Sequence, residues 1–136
     1  SKVAEIIMAM VDGADELDIV INMTALKNND WQYLATELNT ILPIVRKKEK
    51  TIKIIIETAL LSQDEVVKCC DLYGIAGVDY LVLSTGVVRT PSTELVRMVR
   101  RHLADAVNVK VNLAFKNDKE MNEFVQAGAS RIGILV

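Results

Sequence analysis

Five short runs rich in Ile, Val and Leu punctuate the chain, at 17–23, 51–57, 80–84, 108–112 and 131–136. None shows the clean apolar-polar alternation of a half-exposed antiparallel strand, so all five read as parallel strands. Between them, apolar residues recur with helical period over 2–11, 30–48, 63–76, 91–104 and 118–127. The start signals agree with that division. Ser62 with Glu65 forms a capping-box pattern, and Asn117 with Glu120 is its Asn analogue. Thr90-Pro91 puts proline at a first helical position, where its missing N–H costs nothing. The stop signals repeat as Gly13-Ala14-Asp15, Gly77-Val78-Asp79 and Gly128-Ala129-Ser130, each supplying a left-handed residue just before a strand. Alternation of helix and strand five times, without a linker, predicts one α/β domain over 1–136, built on a parallel sheet with right-handed crossovers.

Two architectures meet that description: an open doubly wound sheet, and a piece of a (β/α)8 barrel. A complete barrel takes roughly 250 residues, so 136 supply only part of one. The parity of polar residues separates the two. Asp18 and Asn22 share one strand face, as do Lys53 and Glu57, and Lys110 and Asn112; Ser84 and Arg131 join them on the third and fifth strands. Ile19, Ile21, Ile54, Ile56, Leu81, Leu83, Val109, Val111 and Ile132 occupy the opposite parity. An open sheet with helices on both sides wants both parities apolar, whereas a barrel interior holds polar groups. The expected fold is therefore five consecutive β/α units of a TIM-type barrel.

Composition adds exclusions. With 51% hydrophobic and 25% charged residues the chain is built to bury a core, and a net charge of −2 makes no case for nucleic acid or an anionic membrane. No apolar run approaches the roughly 20 residues of a membrane span, and the first residues mix charge with apolar positions (Lys2, Glu5, Asp12), unlike a secretory signal. Cys69 and Cys70 are adjacent and poorly placed to bridge each other, which points to a reducing, cytoplasmic setting. No zinc spacing, Walker loop or Gly-x-Gly-x-x-Gly is present, so neither a metal nor a nucleotide cofactor is expected.

The residues that remain to carry chemistry are Asp18, Asn22, Lys53, Glu57, Ser84, Thr85, Lys110 and Asn112. A buried lysine beside carboxylates is a route to a nucleophilic amine, because burial disfavours the ammonium while a carboxylate restores it. Lys110, flanked by Asn108 and Asn112, is the better-placed lysine; Lys53 opens its strand and reads as structural. Ser84-Thr85-Gly86 ends the third strand, a position from which hydroxyls donate to a substrate. His102 near a helix end reads as a capping or solvated residue, Trp31 as a packing residue, and Met8 and Met10 as fillers of core gaps.

These motifs resemble deoxyribose-phosphate aldolase, a class I aldolase built as a (β/α)8 barrel. The resemblance runs through Gly13–Asn22 as a block, continues at Ala25-Leu26-Lys27 and Asp30-Trp31, and returns at Lys53–Thr58 with Leu60-Leu61. It is found again at Ser84-Thr85-Gly86 and across Gly128–Gly133, covering essentially the whole chain in order. The resemblance implies a lyase that reversibly cleaves 2-deoxyribose 5-phosphate to glyceraldehyde 3-phosphate and acetaldehyde through an imine on lysine. It places Asp18 on the proton-relaying aspartate and Lys110 on the second lysine, which lowers the pKa of the first. It also implies Ser84, Thr85, Gly86 and Asn22 as substrate contacts, with no cofactor.

At the imine-forming position, however, this chain has Val82, and the glycine pair near the substrate phosphate reads Leu113-Ala114. A truncated, degenerate aldolase is therefore expected. The alternatives are an enzyme that uses Lys110 on a sugar phosphate or aldehyde, and a non-catalytic binding module. In each case the chain is expected to form a homo-oligomer through open sheet edges or its inner face.

Overall fold

The computed structural model describes residues 2–135. Its strands are β1 (Glu16–Val20), β2 (Thr51–Ile55), β3 (Tyr80–Val82), β4 (Asn108–Leu113) and β5 (Arg131–Ile134). They form one parallel sheet in the order β1-β2-β3-β4-β5. Each strand pairs with the next one in sequence, as sequential right-handed crossovers in one direction require, and a doubly wound sheet would reverse that order. The helices are α1 (Lys2–Val11), α2 (Met23–Lys27), α3 (Trp31–Lys47), α4 (Gln63–Ala76), α5 (Thr93–His102) and α6 (Asp118–Ala127).

The capping chemistry read from the sequence is largely in place. Ser62 and Glu65 form the reciprocal box at the start of α4, and the Asn117 side chain accepts from the Glu120 N–H at α6. Gly13, Gly77 and Gly128 adopt φ of 92°, 77° and 123°, closing the helices before their strands. Three details differ. Helix α5 is capped by Ser92, whose side chain accepts from the Leu95 N–H at 3.1 Å, so Thr90 and Pro91 lie in the loop. The helix therefore starts two residues later than the Thr90-Pro91 pattern implies, with a serine in the N-cap role. The first strand ends at Val20, because Asn22 caps the five-residue helix α2, too short to leave a periodic signature in the sequence. Met8 is 61% exposed, so of the two helix methionines only Met10 packs against the core.

One sheet face carries the core. Leu17, Ile19, Ile52, Ile54, Leu81, Val109 and Val111 pack under Leu34, Leu38 and Ile41 of α3, Val66, Cys69 and Tyr73 of α4, Val96 and Val99 of α5, and Phe124 of α6. Burial pushes the Cys69 thiol up to about 12 and the Cys70 thiol up to about 11, so neither is a reactive thiolate at neutral pH. The opposite parity faces away from the helices.

Curvature follows from one contact across that second face. The Arg131 guanidinium on β5 donates to the Glu16 carboxylate on β1 at 2.6 Å. Strands at opposite edges of a flat five-stranded sheet stand about 19 Å apart. Arginine and glutamate cannot span that gap together, so the sheet is curled with this face inward, as in a barrel.

The two parities make a stability prediction. Ile54→Ala on the helix-covered face costs about 2–5 kcal/mol, the usual loss for truncating a fully buried aliphatic. Val20→Ala, at 58% exposure, changes stability by less than about 0.5 kcal/mol. Urea denaturation of the two variants measures the contrast.

Candidate functional site

The inner face is organised in rows set by the strand register. The lower row runs Asp18, Lys53, Tyr80, Asn108, with Glu16 one step below Asp18 on β1. Lys53, only 6% exposed, places its Nζ 3.3 Å from Glu16 Oε1 and 3.2 Å from Asp18 Oδ1. Arg131 reaches down to the same Glu16 oxygen and lies over the Tyr80 ring at 4.7 Å. Hydrogen bonds from Arg131 and then Lys53 hold the Glu16 carboxyl below the usual carboxylate range. Lys53, read from the sequence as structural, is thus the hub of an ion-pair layer at the strand starts.

The next row runs Val20, Ile55, Val82, Lys110, Arg131. Val82 is 1% exposed yet lies outside the continuous core, so its burial comes from the inner face itself. Lys110 is its register partner on the neighbouring strand. Among the described residues the Lys110 amine has no hydrogen bond and no ion pair, while the two cations nearest it are both paired. Burial, then the charge of Lys53, lowers the pKa of Lys110; Asp18 and Glu16 pull it partly back, and Arg131 lowers it further. Partial burial with cations alongside is how a lysine becomes a nucleophile near neutral pH.

At the strand ends the polar groups are engaged with one another. Ser84, wholly buried, donates from Oγ to the Asn112 carbonyl at 2.8 Å and accepts from the Asn112 N–H at 3.0 Å. The Asn112 amide donates back to the Ser84 carbonyl at 3.0 Å, which locks β3 to β4. Thr85 gives both its N–H and its hydroxyl to Glu57 Oε2, at 3.1 and 2.5 Å, and its hydroxyl accepts from the Val87 N–H. Glu57 is 7% exposed with φ of 40°, a left-handed conformation uncommon outside glycine, and its Oε1 has no partner among the described residues. Gly86 is required by close approach as well as by its φ of 87°, since a Cβ there would stand 3.1 Å from the Leu113 carbonyl. Gly133 likewise makes room for the Asn112 side chain, whose Oδ1 occupies the space of a Cβ.

The fold therefore brings Asp18, Val82 and Lys110 onto one face, with Ser84 and Asn112 in the row above. Asn22 is set apart. It caps α2 and lines an open polar depression of about 350 Å³ with Thr24, Asn28, Asp30 and Tyr33. The sequence reading missed the Arg131–Glu16 link, for which a 115-residue separation leaves no local signal. Glu57 was legible as a polar residue of the inner parity. Its partnership with Thr85 was not.

No family model matches the chain. The chain is 38% identical over 133 residues to a deoxyribose-phosphate aldolase of Thermococcus kodakarensis, covering 97% of this chain and 59% of that protein. It is 35% identical to the deoxyribose-phosphate aldolase of Aciduliprofundum boonei, covering 98% of this chain and 60% of that one. Among solved structures, the aldolase QR15 superposes with a TM-score of 0.87 at 32% identity, over 98% of this chain and 60% of the other. The chain thus spans about three-fifths of the relatives it matches, and its five strands are a partial barrel of their kind.

An unpaired, partly buried ammonium beside two cations destabilises the folded state, which predicts that its removal stabilises. Lys110→Met raises the melting temperature at pH 7 by about 2–4 °C. Because the folded pKa of Lys110 is lowered, the wild type gains stability as pH rises through that value toward the ordinary lysine range. The advantage of the variant shrinks over the same interval, and thermal melts across pH 7–11 record it.

Proposed function

We propose, for a chain that is homologous to the deoxyribose-phosphate aldolases along 97% of its length while spanning 59% of theirs, that it is a carbonyl-binding protein on the aldolase scaffold. In this reading ordinary cleavage of 2-deoxyribose 5-phosphate does not run, and Lys110 is the amine that meets an aldehyde. The observation that carries it is the register pair on the inner face: valine at 82, where the resembling family has its imine-forming lysine, directly beside Lys110. Valine has no nucleophile, and removing the nucleophile of a catalytic unit costs several orders of magnitude in rate. Lys110 has the features an imine former needs: no ion pair, partial burial and a pKa held down by its surroundings. Asp18, across the face and paired with Lys53, is the group through which a proton would pass to or from bound carbonyl.

Assembly belongs to the same reading. Strands β1 and β5 are the two edges of the sheet, and a cleft of about 370 Å³ opens beside β1 against Glu5, Ile6 and Ala9 of α1. Edge strands favour strand addition, so the chain is proposed to associate with further copies through them. The two buried cysteines, unbridged and raised in pKa, support a reducing, cytoplasmic setting.

The test is twofold. Incubation with 2-deoxyribose 5-phosphate is expected to release no acetaldehyde above background. Borohydride reduction in the presence of an aldehyde is expected to fix the adduct on Lys110, and the adduct disappears in Lys110→Met but persists in Lys53→Met. Ordinary turnover, or labelling that ignores Lys110, would overturn the reading. In Val82→Lys, a second amine stands beside Lys110, whose charge depresses its pKa. Trapping then extends to position 82.

A further inference from the structure

We propose that the cleft between α4 and α5 is a binding site for a short apolar peptide with free ends, about three residues long. The site is separate from the inner face of the sheet. None of its lining residues belongs to the rows that carry Lys53 and Lys110.

The cleft, of about 370 Å³, lies in the size range of small-ligand sites. Its apolar lining is half-buried Leu61 and Leu95 with buried Val66 and Met98. Two exposed charges of opposite sign, Glu94 and Arg101, line it as well, both on α5. Among the described residues neither side chain has an ion pair or a hydrogen bond. Nearby charges are engaged by contrast: Arg100 donates to the Val107 and Ala104 carbonyls, and Glu65 pairs with Lys27. Glu94 and Arg101 stand seven residues apart, hence on one face of the helix and about 10.5 Å apart along its axis.

A ligand that meets both charges needs an ammonium and a carboxylate roughly 10 Å apart, with an apolar middle to lie on the leucines. An extended chain spans about 3.3–3.6 Å per residue, so a tripeptide with free termini has that length. Gln63 adds a reason for a peptide. Its side-chain amide reaches from α4 to Met98 Sδ on α5, at 3.4 Å. A thioether is a weak acceptor, so a peptide carbonyl is a better partner for the same donor. The dipole of α5 opposes an ammonium at its start, but with about half a charge at each end against whole charges on Glu94 and Arg101. Covering Leu61 and Leu95 removes further apolar surface from water.

The experiment titrates Ala-Leu-Ala with free ends into the nitrogen-labelled whole chain and follows the amide shifts by NMR. The expected result is saturable shifts centred on 63–66 and 94–101, with the amides of the inner-face rows unmoved. Acetylating the N-terminus of the peptide, or amidating its C-terminus, weakens binding by about threefold or more, as loss of one exposed charge pair allows. Glu94→Lys and Arg101→Glu, both at exposed positions, each weaken binding of the free-ended peptide to a similar extent. The double variant, with the two charges exchanged, recovers most of the affinity because the peptide lies the other way round. Absence of saturable shifts at α4 and α5, or equal binding of a peptide capped at both ends, overturns the proposal. A double variant that binds no better than the single ones overturns the assignment of the two ends to Glu94 and Arg101.

Discussion

A sheet covered by helices on one face only must settle the charges of its other face internally, and most of this structure follows from how it does so. The helix-covered parity is Ile, Leu and Val, packed against α3 to α6. In its lower rows the opposite parity brings two carboxylates, Glu16 and Asp18, and three cations, Lys53, Lys110 and Arg131, while Glu57 above them is taken up by Thr85. Arg131 on the last strand and Glu16 on the first meet only because the sheet curls, and their contact marks that curl. The groups are partly solvated: Glu16 keeps 42% of its side-chain exposure, Asp18 54% and Arg131 41%. Ion pairs that exposed contribute little each to stability. Their importance is in deciding which charge goes without a partner.

That charge is Lys110. Glu16 serves Arg131 and Lys53 together, Asp18 serves Lys53, and the third cation, one row higher, is left to solvent and to the field of its neighbours. The same arithmetic explains why Lys53, although far more buried at 6% exposure, is the less attractive nucleophile: two carboxylates hold its amine. Nearby carboxylates favour the charged form of an amine, and partial burial without one disfavours it. Reactivity in this face is thus set by the distribution of carboxylates more than by depth.

Above that layer, the strand ends form a rigid shelf. The reciprocal Ser84–Asn112 bonds, the Glu57–Thr85 pair and the close approach at Gly86 fix the ends of β3 and β4 relative to each other. Glu57 holds this arrangement from a left-handed backbone conformation, a cost that its two bonds to Thr85 offset. The hydroxyls read from the sequence as substrate donors are inside that shelf, turned to protein partners. The relationship to the deoxyribose-phosphate aldolases gives the scaffold, and the local bonding gives each hydroxyl its present occupation.

The sequence by itself determined the alternation of elements, the helix caps at Ser62 and Asn117, the glycine stops, and the division of each strand into an apolar and a polar face. All of these depend on residues within a few positions of one another, where periodicity and capping chemistry act. It also determined that position 82 has no nucleophile. Only the tertiary structure decided the rest. A cap at Ser92 in place of Thr90 depended on which of two nearby hydroxyls met the free N–H groups of α5, and the five-residue α2 was too short to show a period. The Arg131–Glu16 link joins residues 115 apart, and the freedom of Lys110 depends on where those two and Lys53 direct their charges. Local pattern fixes which face a side chain occupies; only the curl of the sheet fixes which partner it finds there.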